Sequence, residues 1–192
     1  VGSEMCIRDR NNISLEQVRL PEGQTSYITK PFTGELYGNN QVIHGLRAAM
    51  FNEVSGKVHE LRVQNVFVAA EGTNPANGFA RTLNGATIEK VVMNYVQING
   101  GSYTAALAGT ATNKAGIHQI WLENIQVNAL LTETYKFNFV GGAVGQMTGA
   151  SNLEDVYISG MIVLDNHQEG GVVGELNSGT VNHVVENMRI KS

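Results

Sequence analysis

One cysteine and three prolines are all that the 192 residues contain of either type. A single thiol excludes an intrachain disulfide. With so little proline, the turns must rest on other residues, and glycine, at 22, and asparagine are the ones available. Charge is also sparse: 13 Lys and Arg against 17 Asp and Glu give a formal net charge of −4. The Lys and Arg residues form no cluster that could follow a phosphate backbone, so the chain does not read as a nucleic-acid binder. No run of 18 apolar residues occurs, so no membrane-spanning helix is encoded. Hydrophobic residues nevertheless make up 42%, enough for a core, and charge is too low for a disordered chain.

The first ten residues, Val1-Gly-Ser-Glu-Met-Cys-Ile-Arg-Asp-Arg10, resemble one reading frame of a transposase sequencing adapter, a contaminant of assembled metagenomic reads. We set residues 1–10 aside on that ground. Cys6 then falls outside the natural chain. The chain is expected to be a fragment cut at both ends.

What the sequence does have is a repeated apolar template, x, x+3, x+5, x+8, x+10. Its copies are Val58, Leu61, Val63, Val66, Val68; Ile88, Val91, Met93, Val96, Ile98; Ile117, Ile120, Leu122, Ile125, Val127; and Leu153, Val156, Ile158, Met161, Val163. A fifth, one residue shorter, is Val181, Val184 or Val185, Met188, Ile190. Starts fall 30, 29, 36 and 28 residues apart. On a helical wheel these positions scatter. On a strand, x+3 and x+5 share a face, as do x+8 and x+10, and the step of three between the pairs marks a corner. The residue before x+8 is Asn65, Tyr95, Asn124, Gly160 or Asn187. Asn and Gly tolerate the bend that a corner needs; Tyr95 departs from the pattern.

A second short strand is expected ahead of each template: Phe51–Val54, Phe79–Leu83, Leu107–Gly109, Val144–Met147 and Val173–Leu176. Stacked copies would put equivalent strands in parallel register over one continuous core. The expected fold is therefore all-β, a parallel β-solenoid of about five coils over residues 47–192, right-handed because parallel crossovers usually are. The competing architecture, a β-sandwich of hairpins, needs no repeated template. Residues 11–46 read as an N-terminal capping and hairpin segment. Phe32 to Leu46 gives a strand, a Gly-Asn-Asn turn and a strand, and Ile13 to Ile28 adds a strand over the open end. Val63, Met93, Leu122, Ile158 and Val185 are expected to pair in parallel. The long third interval is assigned to an insertion from Ala129 to Phe139, whose aromatics Tyr135, Phe137 and Phe139 either form a contact loop or fill the core.

Candidate chemistry is thin. His59-Glu60-Leu61-Arg62-Val63 opens like a zinc-peptidase helix motif but has no second His. The histidines, 44, 59, 118, 167 and 183, are dispersed. His59 and His118 both occupy x+1 and His183 occupies x+2, so they line one face, with Glu89 between the first two. Glu89, Glu123, Glu154 and Asp155 are the carboxylates near that face. Adjacent Glu154 and Asp155 should point oppositely along a strand. No catalytic, cofactor-binding or metal-ligating residue is assigned, and no cofactor.

The runs Ala105-Ala106-Leu107-Ala108-Gly109, Gly141-Gly142-Ala143-Val144-Gly145 and Gly170-Gly171-Val172-Val173-Gly174, each followed by a template copy, carry a family resemblance. So do Phe32-x-Gly34-x-x-x-Gly38 and Ile43-x-x-Leu46. They resemble GLUG-type repeats in the non-catalytic N-terminal region of streptococcal-type IgA1 proteases and Zmp zinc metalloproteases. Arg81 and Thr82 depart from the small-residue pattern. The resemblance implies a secreted, cell-wall-displayed protein of a Gram-positive bacterium with a separate downstream catalytic domain. It implies a recognition or spacer role, with a host or extracellular protein as partner, an immunoglobulin by resemblance. The alternatives are a surface-adhesin repeat and a polysaccharide-active β-helix enzyme.

Overall fold

The computed structural model describes residues 6–8, 11–129, 139–164 and 169–191. Among them every regular element is a strand, every strand pairing is parallel, and there is no helix. Parallel pairing without helical crossovers demands that the chain return to its start after each copy, an arrangement compatible with a β-solenoid.

The template explains the pairing. Thr87–Gly100, Gly116–Ala129 and Ser151–Leu164 are 14-residue strands that pair successively. Ile88 lies opposite Ile117 and Ile117 opposite Leu153; Met93 lies opposite Val63 and Leu122, and Leu122 opposite Ile158. All template positions of the first four copies are buried. A second array joins Ser26–Ile28, Ala49–Val54, Ala80–Asn84, Ala108–Thr112, Val144–Met147 and Val173–Leu176, as the short upstream strands predict. A third, shorter array holds Val140–Gly141 beside Glu169–Gly170, with bridges from Asn77 to Ala105 and from Thr104 to Val140. The three arrays enclose one continuous apolar cluster from Phe32 to Val163. In its N-terminal part, Phe51 packs against Phe32 and Phe79, each ring pair 5.4 Å apart. Equivalent polar residues bond between copies: Asn113 Nδ2 donates to Asn84 Oδ1 at 2.6 Å and Asn128 Nδ2 to Asn99 Oδ1 at 2.5 Å. Arg81, which breaks the small-residue pattern, reaches Thr25 Oγ1 at 2.7 Å.

Each step of three contains a left-handed residue. Asn65, Tyr95, Asn124 and Gly160, at x+7, have φ of 54°, 56°, 54° and 64°. Tyr95 thus makes the same bend as its asparagine neighbours, although a bulky L residue is disfavoured there by roughly 1–2 kcal/mol. A second left-handed column, unread in the sequence, lies at x+2: Glu60, Lys90, Gln119, Asp155 and His183, with φ from 50° to 55°. At both columns a left-handed residue inserts one extra outward side chain, and the next residue returns to the core. Tyr95 is 63% exposed, so little burial is lost by changing it. Tyr95→Asn is expected to stabilise the chain by about 0.5–1 kcal/mol, read as a higher denaturant midpoint; a lower midpoint would refute this account of the corner.

Two expectations need correction. Val185 pairs with Tyr157, and Glu186 stands opposite Ile158. The register shifts between Ser159 and Met161, so the fifth copy loses its residue at the x+7 corner, not between x+3 and x+5. Continuous backbone pairing from Val181 through Val184 prevails over side-chain preference, and Glu186 takes the x+5 slot while remaining exposed.

The other correction concerns the N-terminal part, where the two strands of 32–46 form no hairpin with each other. Glu35–Tyr37 pairs in parallel with Lys57–His59, and Val42–His44 with Arg62–Ala69. Leu36, Ile43 and Leu46 are buried like template residues, so this stretch is one more copy, interrupted by the turn at Asn39 and Asn40. Ile13–Ser14 and Ser26–Ile28 also pair in parallel with the next copy instead of crossing the end of the core. Cys6–Arg8, within the adapter-like segment, lies parallel to Glu35–Tyr37. Phe139 is buried and packs on Tyr103, ring centroids 5.0 Å apart, which favours the core-filling reading for that residue. Tyr135 and Phe137 lie outside the described residues.

Candidate functional site

The outward side chains of the long strands form columns running across the copies. At x+1 the order is Tyr37, His59, Glu89, His118, Glu154 and Asn182, so the histidines do share a face with Glu89 between them. Each described histidine has a carboxylate near it. His59 Nε2 lies 2.9 Å from Glu35, His44 Nδ1 3.4 Å from Glu16, and His118 Nδ1 3.6 Å from Glu154. His183 Nδ1 is 3.3 Å from Asp155 and 3.9 Å from Glu154. These become ion pairs only when the imidazole is protonated. His167 lies outside the described residues.

Glu154 and Asp155 do not point oppositely, because both reach His183. Asp155 is left-handed, with φ of 55°, and this turns two consecutive side chains outward. His59-Glu60-Leu61-Arg62-Val63 is strand and corner: Leu61 and Val63 are fully buried and Glu60 has φ of 54°. A zincin needs its ligands one helical turn apart on one helix face, and this backbone cannot supply that. Among the described residues no group of three His, Cys, Asp or Glu is placed to hold a metal ion.

The x+4 column escaped the sequence reading. It runs Arg62, Val92, Trp121, Tyr157, Val185 in register. Trp121 and Tyr157 stack, with centroids 5.7 Å apart and planes 6° from parallel. An open groove of about 470 Å³ lies along it, lined by Glu60, Arg62, Lys90, Val92, Trp121 and Glu123 among others. Large apolar residues at an outward template position were the available signal.

These features define an all-β protein of parallel strands, in which residues at like spacings set corners and core. Residues 10–80 match the M26 IgA1-specific metallo-endopeptidase N-terminal region. Among curated proteins, the chain is 29% identical over 150 residues to the zinc metalloprotease ZmpC of Streptococcus pneumoniae, covering 74% of this chain and 8% of that protein. It is 28% identical over 177 residues to the immunoglobulin A1 protease of Streptococcus sanguinis, covering 85% of this chain and 9% of that protein. The immunoglobulin A1 protease of Streptococcus pneumoniae is 29% identical over 174 residues. The likeness to the N-terminal region of such proteases, read first from the glycine-rich runs, is thereby shown. The chain spans less than a tenth of the length of these curated relatives. No solved structure matches it.

Proposed function

We propose that this chain is a non-catalytic module of a secreted, cell-surface zinc metalloprotease, a right-handed β-solenoid that holds or spaces the substrate for a catalytic domain elsewhere in the protein. The match of residues 10–80 to the N-terminal region of a metallo-endopeptidase family carries the reading. The fold supports it, since stacked copies make a rigid body whose length is set by their number. The names of two relatives make an immunoglobulin the first partner to test. The third-copy insertion, largely outside the described residues, remains part of the proposal as a contact loop. An adhesin repeat would use the same architecture without any linked peptidase.

The test is to incubate the purified chain with immunoglobulin A1, with and without zinc and a chelator. Melting temperature is followed in parallel. Capture of the immunoglobulin without cleavage, and melting indifferent to zinc, are expected. Cleavage by the chain alone, or a melting shift of several degrees on chelation, would overturn the non-catalytic reading.

A further inference from the structure

The outer face of the third to fifth copies combines two properties that a merely solvated strand face does not need. The first is the apolar column. In the third copy the other outward positions are His118, Gln119, Glu123, Asn124 and Gln126, all polar, yet Trp121 stands among them. Val92 precedes it and Tyr157 and Val185 continue it, 47% and 60% exposed. The second is charge. From the third copy onward, residues 117–191 contain three cationic side chains of the Lys or Arg type, Lys136, Arg189 and Lys191, against eight carboxylates. Beside the apolar column stand Glu123, Glu154 and Asp155, and among the described residues none of the three is ion-paired to Lys or Arg; His118 and His183 approach the last two, and Asn152 Nδ2 donates to Glu154 Oε2 at 3.3 Å. The first copies differ: Lys90 lies 3.8 Å from Glu60 and 3.6 Å from Glu89, so charge there is compensated within the chain.

We propose that the face built on Val92, Trp121, Tyr157 and Val185, edged by Glu123 and Asp155, docks an extended protein segment in which apolar side chains stand beside lysines or arginines. Apolar side chains would cover the column. The cations would meet Glu123 and Asp155, which no Lys or Arg pairs among the described residues, although Glu123 shares its groove with Arg62 and Lys90, and the long stems of the cations would lie over the ring edges. Phosphate-bearing and acidic ligands are repelled by the same charges. The surface goes beyond the function proposed above, because it would hold such a segment whether or not a peptidase is attached.

Trp121 is the sole tryptophan, so its fluorescence reports directly on this face. The full chain is titrated with a synthetic peptide in which lysines and valines alternate between serine spacers, and with a matched peptide carrying glutamates for lysines. Calorimetry is run alongside. The lysine peptide should give a saturable change whose affinity falls about tenfold from low to high salt. The double variant E123Q/D155N should weaken it by about tenfold and Tyr157→Ser by several-fold, while Glu89→Gln leaves it unchanged. Asn tolerates the left-handed backbone at 155, and melting curves confirm that each variant is folded. Three results overturn the proposal: neither a saturable fluorescence change nor binding heat; a glutamate peptide or neutral oligosaccharide that binds as well; or affinity unchanged in both E123Q/D155N and Tyr157→Ser.

Discussion

Leu122→Ala is expected to destabilise the chain by about 3 kcal/mol, lowering the melting temperature by roughly 6–12 °C. Leu122 is fully buried at the middle of the stack, with Met93 and Ile158 as its paired neighbours in the copies before and after. Deleting its branch removes apolar burial and leaves a cavity that neither neighbour can fill, since each is fixed in register by its own strand. Val181→Ala, at the equivalent of a core slot in the fifth copy but only half-buried, should cost about 1 kcal/mol. Chemical denaturation of both variants checks the pair. Equal losses would mean that position in the stack does not govern packing.

Gly145→Ala should cost a similar amount, about 3 kcal/mol, for the opposite reason. A Cβ on Gly145 would lie 2.6 Å from the carbonyl oxygen of Gly109 and 2.7 Å from that of Phe139. Both obstacles are backbone, held by the sheet on one side and by the chain entering the third array on the other. No rotamer change relieves them, so the copies must separate locally. Gly72→Ala is the comparison: Gly72 has φ of 60°, and a Cβ added there would meet nothing within 4 Å, so only the dihedral penalty of about 1 kcal/mol applies. If Gly145→Ala proved no worse than Gly72→Ala, close approach would not be what the glycine-rich runs encode.

The inward half of the fold is legible in the sequence because the core repeats chemically: the same slots take Val, Ile, Leu or Met in copy after copy. The x+7 corner is legible because Asn65, Asn124 and Gly160 advertise their conformation. The x+2 corner is silent. Glu60, Lys90 and Gln119 have no intrinsic preference for a left-handed backbone, Asp155 and His183 only a modest one, and the paired strands on either side impose it. The N-terminal copy is masked by its own turn, since the residues from Gly38 to Gln41 interrupt the spacing between Leu36 and Ile43. The docking face was missed for a different reason. A search for reactive groups weighs His, Glu and Asp, whereas Trp121 and Tyr157 become conspicuous only once the register places them side by side, facing outward.

Because every described strand pairing joins neighbouring copies, a β-solenoid built this way would behave under load like a wound thread. Tension applied at its two ends would be met at the outermost copy first, and detaching that copy leaves the next one intact and newly terminal. Each release frees about one repeat of chain, roughly 100 Å when drawn straight, from a copy that had occupied only about 4.8 Å along the stack. A domain tethered beyond such a thread could be carried far from its anchor by surrendering a few copies, and drawn back as they rewind.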